Sequence, residues 1–559
     1  MPSNPLSLLI FVPLIALLFV LLPSLKKEYF KYITLGANLI QVLLAGYVFF
    51  SFIPSPTNAL QFAEKTSWII LNLGASGILH IDYFIGVDSL SVSLVFLATI
   101  VLTVGTIASW KIEAKKRGYF ALYLLLSATI VGCFLALDFI LFYLFFEFML
   151  LPMYFLIGIW GGAKREYASI KFFLYTLFGS LFILIAIIAL YLSVIDPAAT
   201  AIAMGLVPSG IVPDAGIVQQ VQQLLAAGKI PAKDLVHTFN MLLMTDTANF
   251  IPGTLLSTST TWLILGVDAR LMAFLALLIG FLIKLPAVPL HTWLPNAHVE
   301  APTSISVVLA GILLKIGGYG ILRTAYAIFP DGAIHYAWYI GLIGVISILY
   351  GAFNALAMKD LKKLIAYSSV SHMGFVLLGI ASLTAEGLNG AVYMMVSHGI
   401  ISCLLFLCAG VLYDRTHDRT IEHYRGLASK MPVFTTVVTL SFFASLGLPG
   451  FSGFISELFV LLGAFKSHLI NGLLSEWMGI AGVIGILLGA VYFLWTLQRM
   501  FFGKFWIKTQ EWQLPDLSIR EKTMLFPLLL FTLLLGLFPG ILVEVISPGI
   551  AFFVNKLIQ

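Results

Sequence analysis

The chain has 559 residues, of which 60% are hydrophobic and only 10% charged, and a formal net charge of +5. Its mean hydropathy is +1.02. No soluble domain can hide that much apolar surface, so the composition excludes a soluble enzyme and predicts an all-α polytopic membrane protein. The positive balance calls for no nucleic-acid partner, because such proteins gather lysine and arginine in the loops on one side. Cys133, Cys403 and Cys408 form neither a paired framework nor a metal-ligand spacing.

Taken in order, the apolar segments fall at roughly 4–23, 32–53, 84–110, 119–136, 138–160, 168–193, 270–290, 303–326, 337–357, 363–383, 387–413, 432–465, 476–502 and 523–546, which predicts fourteen spans. The first is read as a retained helix, because Lys26-Lys27 follows it and no small-residue cleavage site does. Alternate connections carry most of the 31 Lys and Arg, including Lys26, Lys111, Arg117, Lys164, Lys359, Lys362, Arg415 and Arg520. The positive-inside rule then puts these loops in the cytoplasm or its equivalent, and both termini outside. Arg270, Arg323 and Lys466 fall among the few basic residues of the opposite side.

Two features interrupt the pattern. Residues 196–268 make a connection of about seventy residues, far longer than a usual helix–helix linker. Its VQQVQQLLAAGKIP stretch reads as a short amphipathic helix, and without clustered charge the whole reads as a surface insertion with no chemistry of its own. The second feature is a matched pair of helix breaks. Pro286 and Pro289 must interrupt the seventh span just after Lys284. Gly447-Leu-Pro-Gly-Phe-Ser-Gly453 interrupts the twelfth, close to Glu457. Breaks five spans apart run in opposite directions, which predicts two inverted five-helix repeats with the working groups on the broken helices. The expected organisation is 1–110 for helices one to three, 119–326 for the first repeat with the 196–268 insertion, 337–502 for the second, and 503–559 for a cytoplasmic loop and helix fourteen.

Charges inside the spans are costly, at least ~2.5 kcal/mol each at the centre of a bilayer, so each is a candidate functional group. Lys315 lies ~18 Å of helix from Thr303 and Glu147 lies ~14 Å from Asp138, both near mid-membrane. Glu147 needs a partner, and Lys284 in the same repeat is the candidate. His298, His372 and His398 fall between these charges in the chain and titrate near neutrality. Glu147, Lys284, Lys315 and Glu457, with the three histidines as relays, read as a hydrated proton path. An ion pair that only ties helices together would explain one pair and leave the other groups idle. The chain has no nucleotide loop and no cluster or haem ligation pattern, so its energy source must lie in other subunits.

The stretch LIKLPAVPLHTWLPNAHVEAPTSISVVLAGILLKIGGYGILR resembles the signature of the antiporter-like subunits of complex I and of Mrp-type cation/proton antiporters. FFEFMLLPMYFLIGIWGG, KDLKKLIAYSSVSHMGFVLLG and LGLPGFSGFISELF add to the resemblance, which covers about residues 80–505. Glu457 resembles the M type, where the L and N types usually carry lysine. The resemblance implies Glu147 and Lys284 as a coupling pair, Lys315 as a central relay and Glu457 as the terminal proton group. It implies no cofactor in this chain, with FMN, iron–sulfur clusters and quinone in partner subunits, and L-type and N-type subunits and membrane lipids as neighbours. The expected setting is the bacterial inner membrane, or the thylakoid for a photosynthetic counterpart. The rival readings are a subunit of a sodium/proton antiporter and a scaffold subunit without transport.

Overall fold

The computed structural model describes residues 4–72, 78–208, 210–508 and 514–558. The extreme termini and residues 509–513 of the expected cytoplasmic loop lie outside the described residues. In chain order the main elements are α1 (Pro5–Leu21), α2 (Tyr29–Ser51), β1 (Gln61–Asn72), β2 (Ile78–Val87), α3 (Val92–Ala108), α4 (Lys116–Leu135), α5 (Phe139–Phe148), α6 (Leu150–Trp160) and α7 (Arg165–Ser193). The insertion holds α8 (Pro197–Ala203), α9 (Ala215–Ala226), β3 (Val236–Thr238) and α10 (Met241–Met244). Then come α11 (Ala269–Lys284), α12 (Trp293–Glu300), α13 (Thr303–Val308), α14 (Leu314–Gly320), α15 (Pro330–Ala357), α16 (Leu361–Ala381), α17 (Ala385–Thr416), α18 (Pro432–Ser445), α19 (Ser452–Ile470), α20 (Glu476–Phe501), α21 (Ile519–Leu537) and α22 (Gly540–Ile558). The mostly helical architecture expected from composition is the one observed.

Among the described residues, twelve helices are long and apolar enough to cross a membrane. They divide by burial. The most apolar windows of Thr303–Tyr326 and Ala385–Thr416 are 100% buried, against 39% for Arg165–Ser193, Ser452–Ile470 and Glu476–Phe501. The first two are therefore enclosed by protein, while α7, α19 and α20 turn an apolar side outward, as lipid-facing helices do.

Hydrogen bonds sort the connections into two ends. At one, Lys111 pairs with Asp414, the Lys164 amide donates to Glu300, and the Leu361 amide donates to the Arg419 carbonyl. At the other, the Asp82 amide donates to Asp138, Arg270 pairs with Asp331, and Lys556 donates to Thr245. The alternation of basic loops is thus matched by direct contacts. The breaks follow it too. Chain α11 runs from the less basic end into the interior and α12 carries on to the basic end, whereas α18 enters from the basic end and α19 leaves toward the other.

Three things differ from the sequence reading. Helix α3 starts at Val92, not near residue 84, because Ile78–Val87 forms a strand. That strand pairs antiparallel with β1 and parallel with β3 of the insertion, in the register Ile78↔Val236 and His80↔Thr238. Apolar residues surrounding His80 and Asp82 mimic a helix start until a partner strand takes up their backbone groups. The insertion is also more than a loop. Helix α9 buries Val221 and Leu225 in a small apolar cluster with Ile195 and Ala201. Finally, Pro539 ends α21, and α22 turns aside. It buries Leu542, Ile546, Ile550 and Val554, the spacing of one helix face. Its Ser547 meets Asn389 and its Lys556 meets Thr245, both at the less basic end, so α22 lies across that end.

The sheet carries a titratable cluster. Asp82 lies 3.0 Å from Lys65 Nζ and 3.1 Å from His80 Nε2. The hydrogen bond with Asp82 raises the pKa of His80, outweighing burial and Lys65. Burial pushes Asp82 up, but bonds from His80 and Lys65 hold its carboxyl below the usual range. A raised histidine adds stability that is full below its unfolded pKa of about 6.5 and is lost as pH rises through the folded value. A depressed aspartate adds stability that is full above about 3.9 and is lost as pH falls through the folded value. The protection of β1 and β2 amides, relative to the intrinsic exchange rate at each pH, is therefore expected to be greatest between about pH 4 and 6.5 and to fall above that range as His80 deprotonates. His80→Gln should flatten the alkaline arm, and an alkaline arm of unchanged height in that variant would refute the assignment.

Candidate functional site

Lys284 ends α11 and is 1% exposed. After it the chain is stitched through the break. Trp293 Nε1 donates 2.9 Å to the Ile283 carbonyl, and the Val288 amide donates 3.0 Å to Ser347 Oγ. Both contacts satisfy backbone groups that proline leaves without a helical partner. The ammonium sits 4.5 Å from the centroid of the Phe146 ring. It has no hydrogen-bond partner, and neither does Glu147 Oε1. No ion pair within 4.0 Å joins Lys284 to Glu147 among the described residues, so the two partners expected within one repeat do not touch directly. A desolvated cation over an aromatic face gains about 2 kcal/mol, which lets the ammonium stay without a carboxylate against it.

Lys315 is completely buried. It follows a π-helical segment, Leu309–Leu313, and a second one, Ile321–Tyr326, closes the rod. Such segments widen a helix and recur at functional sites. Lys315 Nζ donates to the Ala310 carbonyl at 2.5 Å and lies 2.7 Å from His398 Nδ1. The contact depends on two glycines. A Cβ on Gly399 would stand 2.9 Å from the Gly311 carbonyl, and one on Gly311 would stand 2.6 Å from Cys403 Sγ. Without side chains there, α17 and the π segment touch backbone to backbone.

From His398 the series continues. The His398 and His372 ring centroids are 5.3 Å apart. His372 Nδ1 lies 2.8 Å from the Ser368 carbonyl and Nε2 lies 3.1 Å from the Ser445 carbonyl. A neutral imidazole donates from one nitrogen only, so a second carbonyl stands ready when the ring takes another proton. The Ser445 carbonyl is free because α18 ends there, and helix ends leave their last carbonyls without intrahelical donors. Glu457 Oε1 is 3.8 Å from His372 Nε2. Its other oxygen folds back into the break, where a Cβ on Gly447 would approach within 2.0 Å. Lys315, His398, His372 and Glu457, spread over 143 positions of sequence, are therefore one contiguous series.

His298 stands apart. Its ring stacks on Phe406 at 4.3 Å and 14°, and neither nitrogen has a protein partner. The nearest charges acting on it are Lys362 and Lys315. Lys362 escaped the sequence reading, which counted it as a loop cation. It is 3% exposed and donates 3.1 Å to the Ala301 carbonyl. The signal was present in its helical phase, which it shares with the buried Ala366 and Ser369 and which differs from that of Lys363. Arg323, also read as a loop cation, is buried and pairs with Asp88 at 2.7 Å. No group of three or more His, Cys, Asp or Glu among the described residues is placed to hold a metal ion.

The family pattern described as "NADH:quinone oxidoreductase/Mrp antiporter, TM" matches residues 136–206 and 235–488. NADH-quinone oxidoreductase subunit M of Rhodobacter capsulatus is 36% identical, over 99% of this chain and 97% of that one. NAD(P)H-quinone oxidoreductase chain 4 1 of Synechococcus elongatus is 37% identical, over 96% of this chain and 89% of that one. Among solved structures, a chain of respiratory complex I from Thermus thermophilus has a TM-score of 0.77 and 27% identity, covering 99% of each chain. A chain of the Mrp complex from Dietzia has a TM-score of 0.75 at 19% identity, covering 100% of this chain and 99% of that one, a likeness of fold alone.

Two glycines in the second break have positive φ, Gly447 at 75° and Gly450 at 97°, but only the first has Glu457 beside it. Alanine at either costs about 1–2 kcal/mol of backbone strain. Gly447→Ala must also displace the carboxylate, so it is expected to lower thermal stability clearly more than Gly450→Ala. Equal melting temperatures for the two variants would refute the placement of Glu457.

Proposed function

The chain belongs to the NADH:quinone oxidoreductase/Mrp antiporter family of membrane proteins, and we propose that it is the M-type, proton-translocating membrane subunit of a complex I. It does no redox chemistry itself; electron transfer to quinone runs in partner subunits that carry FMN and iron–sulfur clusters. The observation that supports the reading is the run Lys315–His398–His372–Glu457 inside an apolar chain, with a 2.7 Å contact, a 5.3 Å ring spacing and a 3.8 Å approach between successive members. Every member can both take and give a proton. The 2.7 Å contact of Lys315 with a ring nitrogen is a shared-proton geometry: either the ammonium donates to the ring, or the ring donates to the amine.

In this reading Lys362 and His298 feed the series from the basic end, and Glu457 releases to the other. Lys284 and Glu147 form the element that couples to the neighbouring subunit. Their unpartnered atoms leave both free to change separation, and separation governs how firmly the lysine holds its proton. The two broken helices belong to inverted repeats within fourteen spans, the termini lie on the outer side of the bacterial inner membrane, and the neighbours are L-type and N-type subunits. The relatives named for quinone oxidoreductases match at 36–37% identity, which favours this reading over an antiporter subunit.

The test is proton uptake by the reconstituted complex at matched assembly. Glu457→Gln is expected to lower it ~100-fold, the lower range for losing a positioned acid–base group. Glu457→Asp should keep part, because the acid survives with one methylene less reach. Lys284→Ala should lose most pumping, and Lys284→Arg should fare poorly because arginine does not release its proton. Parent-like uptake in Glu457→Gln would sink the proposed exit.

A further inference from the structure

We infer that the buried Arg323–Asp88 pair seals the first half of the protein at its less basic end, so that a proton on Lys315 leaves sideways through His398 instead of straight along its own helix. The inference rests on the relay reading above. Lys315, Tyr319 and Arg323 follow at every fourth position of a rod whose apolar window is fully buried. The rise of a helix puts Arg323 about 12 Å beyond Lys315. That line is the short way out, and it needs a barrier.

The groups along it cannot carry a proton. The Tyr319 hydroxyl donates 3.2 Å to the Phe134 carbonyl and accepts from Arg323 Nε at 3.1 Å. Its one proton is thus aimed at a backbone oxygen. The guanidinium beyond it has five donors, no acceptor, and does not deprotonate in proteins. His398, on the sideways route, has a ring nitrogen at 2.7 Å that can accept or donate according to its tautomer.

The barrier is held in place by its anchor. Asp88 Oδ1 accepts from Arg323 Nη2 at 2.7 Å and from the amides of Leu90 and Ser91, each at 3.1 Å, and Oδ2 accepts from Asn58 Nδ2 at 3.2 Å. The side chains of Arg323 and Asp88 are 9% and 5% exposed. Asp88 comes from the turn ahead of α3 and Arg323 from the far end of the rod, and both side chains are buried. A fixed guanidinium at the end of the rod offers a hydrated proton no acceptor to step onto, like the arginine of a proton-excluding pore.

A plain structural tie and a seal differ in what each half of the pair does. If the pair only ties α3 to the rod, losing either partner has the same effect. If it is a seal, the cation matters and the carboxylate only positions it. The experiment is passive proton decay without substrate, and protons moved per electron, in vesicles carrying the assembled complex. Arg323→Gln is expected to speed passive decay several-fold and to lower protons per electron while quinone reduction continues. Asp88→Asn, which keeps the cation, should stay near the parent in both. Should Arg323→Gln fail to assemble, the double variant Arg323→Gln with Asp88→Asn leaves no unpaired buried charge and should leak likewise. A tight Arg323→Gln or double variant, or an Asp88→Asn that leaks as much, overturns the seal. Glu457→Gln measured alongside separates the two claims. Parent-like pumping there defeats the relay, whereas a blocked Glu457→Gln beside a tight Arg323→Gln defeats only the seal.

Discussion

Lys315, in the apolar middle of this protein, meets His398 where Gly311 and Gly399 let two helices come together backbone to backbone. The rest of the interior follows from that approach. Once α17 is that close, His398 is fixed, and His372 on α16 comes within ring contact of it. A side chain at either glycine would crowd the facing helix and force the two apart there. The enclosure of both rods by protein is therefore a condition for keeping a charge there, since lipid supplies no acceptor.

The helix breaks supply what continuous helices cannot. An intact helix spends its carbonyls on its own amides, whereas a terminus leaves them open. His372 uses the Ser445 carbonyl at the end of α18, and Trp293 uses the Ile283 carbonyl near the end of α11. The π segments flanking α14 serve the same end within an unbroken rod, where the Ala310 carbonyl takes the Lys315 ammonium. Several buried polar atoms still have no hydrogen-bond partner, and Glu147 Oε1, Lys284 Nζ and both His298 nitrogens are among them.

Much of this was legible in the sequence. Length and hydropathy gave a polytopic helical membrane protein, though twelve rather than fourteen helices among the described residues are long and apolar enough to span. Proline and glycine gave both breaks, and Lys284, Lys315 and Glu457 stood out because a charge in an apolar run is rare. The contiguity of Lys315, His398, His372 and Glu457 was legible only as an order along the chain, since glycine spacing does not say which helix will approach. Lys362 and Arg323 were missed for one reason. Both lie near span ends, where a basic residue is ordinarily solvated, and only the packing of α12 and of the Asp88 turn against them buries the charge. The sheet was missed because β3 comes from 158 positions beyond its partner β2, and single-strand periodicity carries no sign of a distant mate.

The sign of the charge at each break follows from the direction of its helix. Chain α11 enters the interior with its C-terminus, where open carbonyls make the end partly negative, and the residue there is Lys284. Chain α19 leaves the interior with its N-terminus, where open amides make the end partly positive, and Glu457 folds its carboxylate back to that end against Gly447. A helix end favours the matching charge by up to about 2 kcal/mol in partly buried settings. Two breaks traversed in opposite directions thus offer one end suited to a cation and one suited to an anion. A lysine at the second break could not use the amide end and would need carbonyls from α18, as His372 already does. The acid at Glu457 and the base at Lys284 are, on this argument, the pair of charges that these two backbone directions hold most readily.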